Sequence, residues 1–357
     1  MKALMISNPQ STSSIAQDPA LAARIIGSIR AVPGLRLHSV FTQYAGHAVD
    51  ICRGLRRTDY DLVLVVGGDG TVNEVINGLL GSPTNPDLPA ASELPRLAVI
   101  PTGSANVFSR ALGFRLDPTL AAKQVAELLQ KGTFRRIALG TWNQNWFAVN
   151  AGFGIDAAVI HRVERARSLG FKATPLRYMW ISLEVWIRSQ FEPPQMHVQA
   201  RHLRVDGSSE VFFERFDLPL FFASNTNPWT YLGPLPVVTN PANSFDKGLG
   251  LFGLSNLHGI LGALAMAHLV GVGHNKWLNR LTASRTLQFD DASSVTITCP
   301  QPESFQVDGE FKGKLRQVEL ASRADALEVI APRHLNSRAV TDSRSVLMAI
   351  RDFLRVR

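Results

Sequence analysis

The chain has 357 residues, more than one hydrophobic core usually serves, so two domains are expected. Hydrophobic residues make up 45% and charged residues 18%, with no low-complexity tract and no repeat, which excludes a disordered chain and a solenoid. The net charge of +8 favours polyanions, but the basic residues are scattered, with pairs only at sites such as Arg56/Arg57 and Arg135/Arg136, so nucleic acid is not the expected partner.

From the start, apolar strands alternate with helical stretches: strand Ala3–Ser7, helix Pro19–Arg30, strand Leu35–Thr42, helix Gly46–Arg56, strand Leu62–Val66. A helix seeded at Thr71, a strand at Arg96–Ile100, a helix start near Ala105 and a helix over Thr119–Gln130 continue the series, with a proline-rich loop from Ser82 to Pro95. Such alternation predicts an α/β domain with a parallel sheet over residues 1–138. The opening MKALMISNPQ has too short an apolar stretch for a signal peptide and reads as a strand. Cys52 and Cys299 belong to no paired or metal-ligating pattern, which fits a reducing, cytoplasmic compartment.

Beyond residue 138 the segments turn β-rich: Trp146–Asn150, Met196–Val205, Leu218–Ser224, Val295–Cys299 and Ala326–Pro332, with one helical block around Leu176 to Ser189. They predict a mostly antiparallel second domain over 139–335. Leu251 to Gly273 carries no Asp, Glu, Lys or Arg over 23 residues, yet its five glycines and polar Ser255, Asn256, His258 and His268 favour a strand and a docked helix over a membrane span. Residues 336–357 end in a basic helix, Ser343–Arg357, with apolar residues at helical spacing.

Three motifs carry chemistry. VVGGDGTVNEVINGL, at 65 to 79, runs a strand through a glycine turn into a helix. Gly67, Gly68 and Gly70 let backbone approach a phosphate, and the helix N-terminus beginning near Thr71 supplies oriented N–H groups. It is neither a GxxxxGK[ST] loop nor a GxGxxG fingerprint. A carboxylate inside an anion-binding turn, Asp69, calls for a metal ion or a proton-transfer duty. AVIPTGSANVFSRALG, at 98 to 113, places a second anion-receptive turn, with Gly103, Ser104 and Asn106, at the carboxyl edge of the same sheet. FQVDGEFKG, at 305 to 313, sets Asp308 and Glu310 around a glycine, a pattern that by itself marks a hairpin turn.

In this order the three motifs resemble the diacylglycerol kinase catalytic family, which includes bacterial lipid kinases and the sphingosine and ceramide kinases. The resemblance extends to Asn8-Pro9 with Ser11 and Thr12, to TQYAGHA (42–48), NAGFGIDA (150–157) and FDKGLG (245–250), and the form GSAN is similar to actinobacterial-type members. It implies an ATP-dependent lipid kinase that phosphorylates a hydroxyl of diacylglycerol or a related lipid at a cleft between a nucleotide-binding domain and a β-rich lipid-binding domain. Asn8, Pro9, Gln10, Ser11, Thr12, Thr42, Gly67, Gly68, Asp69, Gly70, Thr71, Val72, Asn73, Glu74, Gly103, Ser104 and Asn106 would surround ATP. Asp69 would work with Mg²⁺, and Glu310, Asp308 and Asp69 are the carboxylates among which the resemblance leaves the base open.

Two departures stand out. Lys247 replaces an aspartate that often helps the family hold a structural Mg²⁺, so that site is expected to be absent or rebuilt around Asp246, with carbonyls of Ser244 and Leu249; Val107 stands where an aspartate often follows the asparagine. The resemblance and the basic charge imply peripheral contact with a membrane surface, and relatives leave a homodimer open. A non-catalytic nucleotide or lipid sensor of the same fold, and an enzyme with a soluble acceptor such as NAD, are the rival readings.

Overall fold

The computed structural model describes residues 1–11, 18–168, 175–203, 207–233, 235–269 and 282–333. The first part alternates as expected: β1 (Lys2–Ser7), α1 (Pro19–Arg30), β2 (Arg36–Phe41), α2 (His47–Cys52), β3 (Leu62–Gly67), α3 (Asp69–Leu80), β4 (Arg96–Pro101), α4 (Val107–Ala111) and α5 (Pro118–Gln130). Local chemistry sets the helix starts. Asp18 accepts from the Leu21 N–H at 3.0 Å and Asp117 from the Leu120 N–H at 2.8 Å, each followed by a proline that needs no N–H partner in the first turn. α1 then buries Leu21, Ile25 and Ile29, spaced four apart on one face.

The strands lie in the order β4-β3-β1-β2, all parallel. All six residues of β3 are buried, which is why its sequence, LVLVVG, is continuously apolar rather than alternating. Burying each such aliphatic side chain is worth roughly 1.5–3 kcal/mol.

The second part contains β5 (Arg135–Trp142), β6 (Asn145–Phe147), β7 (Asn150–Gly154), α6 (Ile155–Ser168), α7 (Pro175–Ser189), β8 (Met196–Leu203), β9 (Ser209–Leu218), β10 (Leu220–Ser224), β11 (Thr230–Leu232), β12 (Leu235–Val237), β13 (Leu249–Leu254), α8 (Gly259–Leu269), β14 (Thr286–Ala292), β15 (Ser294–Val307) and β16 (Glu310–Val329). Its strand pairs are antiparallel. β16 joins the two parts: it pairs antiparallel with β15 and β5, and its last residue, Val329, pairs in parallel with Leu97 of β4. One sheet therefore runs β14-β13-β10-β7-β15-β16-β4-β3-β1-β2.

The final stretch thus returns to the first core, where Leu327, Val329, Ile330 and Ala331 pack with the helices and strands of the parallel part. A second core gathers Phe147, Phe153, Phe221 and Phe305 with the antiparallel strands. The strands expected at Val295–Cys299 and Ala326–Pro332 are pieces of longer ones. Register shifts between Thr298 and Glu303, and between Arg323 and Leu327, interrupt the apolar alternation, so only fragments carry a readable pattern. The segment expected as one strand over Trp146–Asn150 is two, because the backbone at 148–149 turns its N–H groups to Asp308 instead of to a neighbouring strand.

Near its far end β16 carries Glu328, only 3% exposed, which accepts from Arg57 at 2.9 Å, Arg96 at 3.1 Å and Arg136 at 3.3 Å. Burial opposes its ionisation, but the hydrogen bonds and charges of Arg57 and Arg96 outweigh it and hold the carboxyl below the usual range. The uncharged stretch from Leu251 divides between β13, which lies between β10 and β14, and α8, with 270–273 outside the described residues. Among the described residues no helix is long and apolar enough to cross a membrane. The basic helix expected at Ser343–Arg357 lies outside the described residues.

Candidate active site

Because β3 and β4 are parallel neighbours with Gly67 opposite Pro101, the two glycine turns emerge side by side. They touch. A Cβ on Gly68 would come within 3.1 Å of the Gly103 Cα, and one on Gly103 within 2.6 Å of the Gly68 Cα. α3 starts at Asp69, and its first helical bond is Val72 N–H to Gly68 O, so the N–H groups of Asp69, Gly70 and Thr71 precede the helical ladder. With no side chain capping the helix, its positive end faces the junction of the turns.

Asp69 and Asn106 stitch the turns together. The Asp69 carboxylate accepts from the N–H groups of Val107 and Phe108, each at 2.9 Å, and so caps α4 from the neighbouring turn. Asn106, left-handed at φ 51°, accepts from the Gly103 N–H at 2.9 Å and donates to Gly103 O at 2.7 Å. Burial pushes the Asp69 carboxyl above its ordinary value, against the pull of the two N–H donors and of Arg110.

Asp308 and Glu310 reach this junction from the β15–β16 hairpin, about 240 residues further along the chain. They are held in opposite ways. Asp308 is buried, in a left-handed turn at φ 50°, and accepts from Ala148 N (2.9 Å), Val149 N (2.8 Å), Asn150 N (3.0 Å) and Asn73 Nδ2 (2.8 Å). Burial still pushes it up to about 6 despite those donors. Glu310 is half exposed, pairs with Lys312 Nζ through Oε2 at 2.8 Å, and turns Oε1 to within 2.5 Å of where a Gly70 Cβ would stand.

Around them, Asn8 Nδ2 donates to Thr71 Oγ1 at 3.3 Å, Gln10 N–H to Asn8 Oδ1 at 2.8 Å, and Thr102 Oγ1 to Ser11 Oγ at 3.1 Å, which brings the segment after β1 against both turns. Thr42 is buried and its N–H donates to Ser7 O. Glu74 accepts from the N–H groups of Gly46 (2.8 Å) and Ala48 (3.2 Å), tying α3 to the TQYAGHA segment. Val72 points into the core, so its side chain is withdrawn from the site. Pro9 is partly exposed and Ser104 exposed, and Thr12 lies outside the described residues. Asp246 stands apart: both its oxygens accept from Arg135 Nη2 at 2.7 Å, at the place where the cation site was expected to be absent or rebuilt.

Residues 2–142 match the family model described as the diacylglycerol kinase catalytic domain. Over that stretch the chain is similar to the catalytic domain of these lipid kinases. It is 27% identical over 302 residues to a diacylglycerol kinase of Staphylococcus haemolyticus, an overlap spanning 82% of this chain and 78% of that one. It is 26% identical over 274 residues to a diacylglycerol kinase of Bacillus subtilis, spanning 77% and 79%. The fold is similar to the crystal structure of a diacylglycerol kinase from Bacillus anthracis str. Sterne, with a TM-score of 0.62 at 21% identity over 95% of this chain and 98% of that one.

Around the junction several residues escape sequence reasoning. Gln306 donates to Asn150 Oδ1 at 2.7 Å and to Asp156 Oδ2 at 2.8 Å, and accepts from the Gly309 N–H at 2.9 Å, so it fixes the turn that carries Glu310. Burial pushes Asp156 up to about 6, with Gln306 opposing. Arg110 lies 3.3 Å over the Tyr231 ring and donates to Gly233 O at 3.0 Å, joining the second turn to the β11–β12 hairpin. All three lie inside the motifs read from the sequence, Asp156 in NAGFGIDA, Arg110 in AVIPTGSANVFSRALG and Gln306 in FQVDGEFKG, but their partners are distant in the chain and leave no local pattern. A cavity of about 1350 Å³ opens between α6, α7 and the kinked middle of β15, with Ser304 and Lys314 of the Glu310 hairpin in its wall.

Proposed function

We propose that the chain transfers the γ-phosphoryl group of ATP, accompanied by Mg²⁺, to a hydroxyl of diacylglycerol or a related lipid, in the cleft where the two glycine turns meet the β15–β16 hairpin. The observation that carries this reading is the seat of Glu310 Oε1 against Gly70, at the open N-terminus of α3. A phosphate chain needs bare backbone and N–H donors, and the acceptor hydroxyl needs a nearby proton acceptor; the fold supports both at one point.

Roles divide among the carboxylates by their hydrogen bonds. Asp308 spends its oxygens on four donors and orients the turn. Asp69 caps α4 and orients the second turn. Glu310 is held only from one oxygen by Lys312 and takes the hydroxyl proton as the phosphoryl group transfers.

Mg²⁺ is commonly held by one or two carboxylates together with substrate phosphates, and Asp69 and Glu310 fit that requirement. When bound, the ion neutralises phosphate charge. Among the described residues no cluster of three or more His, Cys, Asp or Glu side chains forms a self-sufficient metal site. Asp246 is paired with Arg135. The cavity beside the hairpin is large enough for a lipid acceptor.

The test is transfer of labelled γ-phosphate from ATP to diacylglycerol, sphingosine, ceramide, monoacylglycerol and NAD. Label in an extracted lipid, lost in Asp69→Asn and Glu310→Gln, is the expected result. Label in NAD alone, or in no acceptor while ATP still binds, would overturn the lipid-kinase reading.

A further inference from the structure

The end of α7 and the start of α8 are clamped together into an apolar knuckle. Trp186 Nε1 and Gln190 Nε2 both donate to Leu257 O, at 3.1 and 2.9 Å, and Gln190 Oε1 accepts from the Gly259 N–H at 3.2 Å. On the inner side Val185, Leu257 and Ala265 pack with Phe222 and Phe252. The outer side is apolar too: Phe191 is 82% exposed, Ile260 81%, Ile187 48% and Leu261 40%. Single exposed apolar residues are ordinary, whereas four on two braced chain ends mark an interaction surface.

The surroundings indicate what covers it. Arg188 stands beside Ile187, and Arg285 donates to His258 O at 2.9 Å and to Asn256 at 3.4 Å, so its positive charge sits at the foot of the knuckle among neutral partners. Glu192 is the acidic neighbour, and Glu184 is paired with Arg162. Ile187, Arg188 and Glu192 also line the 1350 Å³ cavity, so the knuckle stands at its mouth. Apolar side chains flanked by arginines, on a chain of net charge +8, match an interface with anionic headgroups above acyl chains.

We propose that Ile187, Phe191, Ile260 and Leu261 dock on the surface of an anionic lipid bilayer and present the cavity mouth to it. That the cavity then draws its acceptor from the bilayer rests on the kinase reading above; the docking does not.

The test is co-sedimentation of the full chain with vesicles of phosphatidylcholine, with and without phosphatidylglycerol, for wild type and for Phe191→Ser/Ile260→Ser. Wild type is expected on the phosphatidylglycerol vesicles, and the double variant should partition about tenfold less or lower, with an unchanged thermal midpoint because both side chains are already in water. Equal partitioning of the two proteins would overturn the proposal, as would wild type that stays off the vesicles. So would a variant that changes only from dimer to monomer in light scattering, which would assign the knuckle to a second copy. Phosphate transfer to a dispersed short-chain diacylglycerol scores the kinase reading separately: its absence with vesicle binding intact defeats that reading and leaves the docking surface standing.

Discussion

Two of the glutamates on β16 have opposite fates. Glu310 opens β16 half exposed, with a single lysine on one oxygen, while Glu328 near its far end is 3% exposed among three arginines. The buried one locks the amino-terminal edge of the parallel sheet, where Arg96 begins β4, and the exposed one faces the carboxyl edge, where the glycine turns open. Buried and paired, Glu328 serves the fold; Glu310, with Oε1 turned to a bare backbone, can serve a reaction.

The sharpest way to break this contrast is to neutralise each end. Glu310→Gln should lower phosphoryl transfer about 10²- to 10⁴-fold, the usual span for a lost general base, with little change in the thermal midpoint. Glu328→Gln should instead destabilise the fold by roughly 3 kcal/mol at pH 7, because it leaves the arginines facing a neutral group, while turnover per folded molecule stays near wild type. Since the Glu328 carboxyl sits below its usual range when folded, its contribution is present above the unfolded value and is lost as pH falls through the folded one. Urea unfolding should therefore show the gap between wild type and Glu328→Gln closing on acidification.

Asp308 reverses that sign. Its folded value of about 6 lies above the ordinary 3.8, so the folded state holds a proton that the unfolded chain has released between those values. Its contribution is present below about pH 4 and is lost as pH rises through about 6, a change of roughly 3 kcal/mol that a carboxyl NMR titration together with urea unfolding would follow. The smallest effect is expected at Gly70→Ala. The new Cβ meets only the mobile end of Glu310, so the fold should persist while turnover falls about tenfold.

Much of the parallel part was legible, because helix caps such as Asp18 and Asp117 and the uninterrupted run LVLVVG are local signals. The glycine turns were legible for the same reason: Gly68 and Gly103 are required by a close approach that each turn signals by itself. What the sequence hid is long-range. The return of β16 to β4 through a single pair, Val329 with Leu97, has no local mark, and neither has the Gln306 bridge between α6 and the hairpin. Asp308 and Glu310 read alike in DGE, and only the four donors on one and the open oxygen of the other separate their roles.

The most direct measurement pairs ATP-to-lipid phosphate transfer with thermal unfolding for wild type, Glu310→Gln and Glu328→Gln on the same preparations. The prediction is a crossed pattern: Glu310→Gln keeps its midpoint and loses turnover, and Glu328→Gln keeps turnover and loses midpoint. Glu310→Gln retaining wild-type turnover would contradict the assignment of Glu310 as the group that takes the acceptor proton.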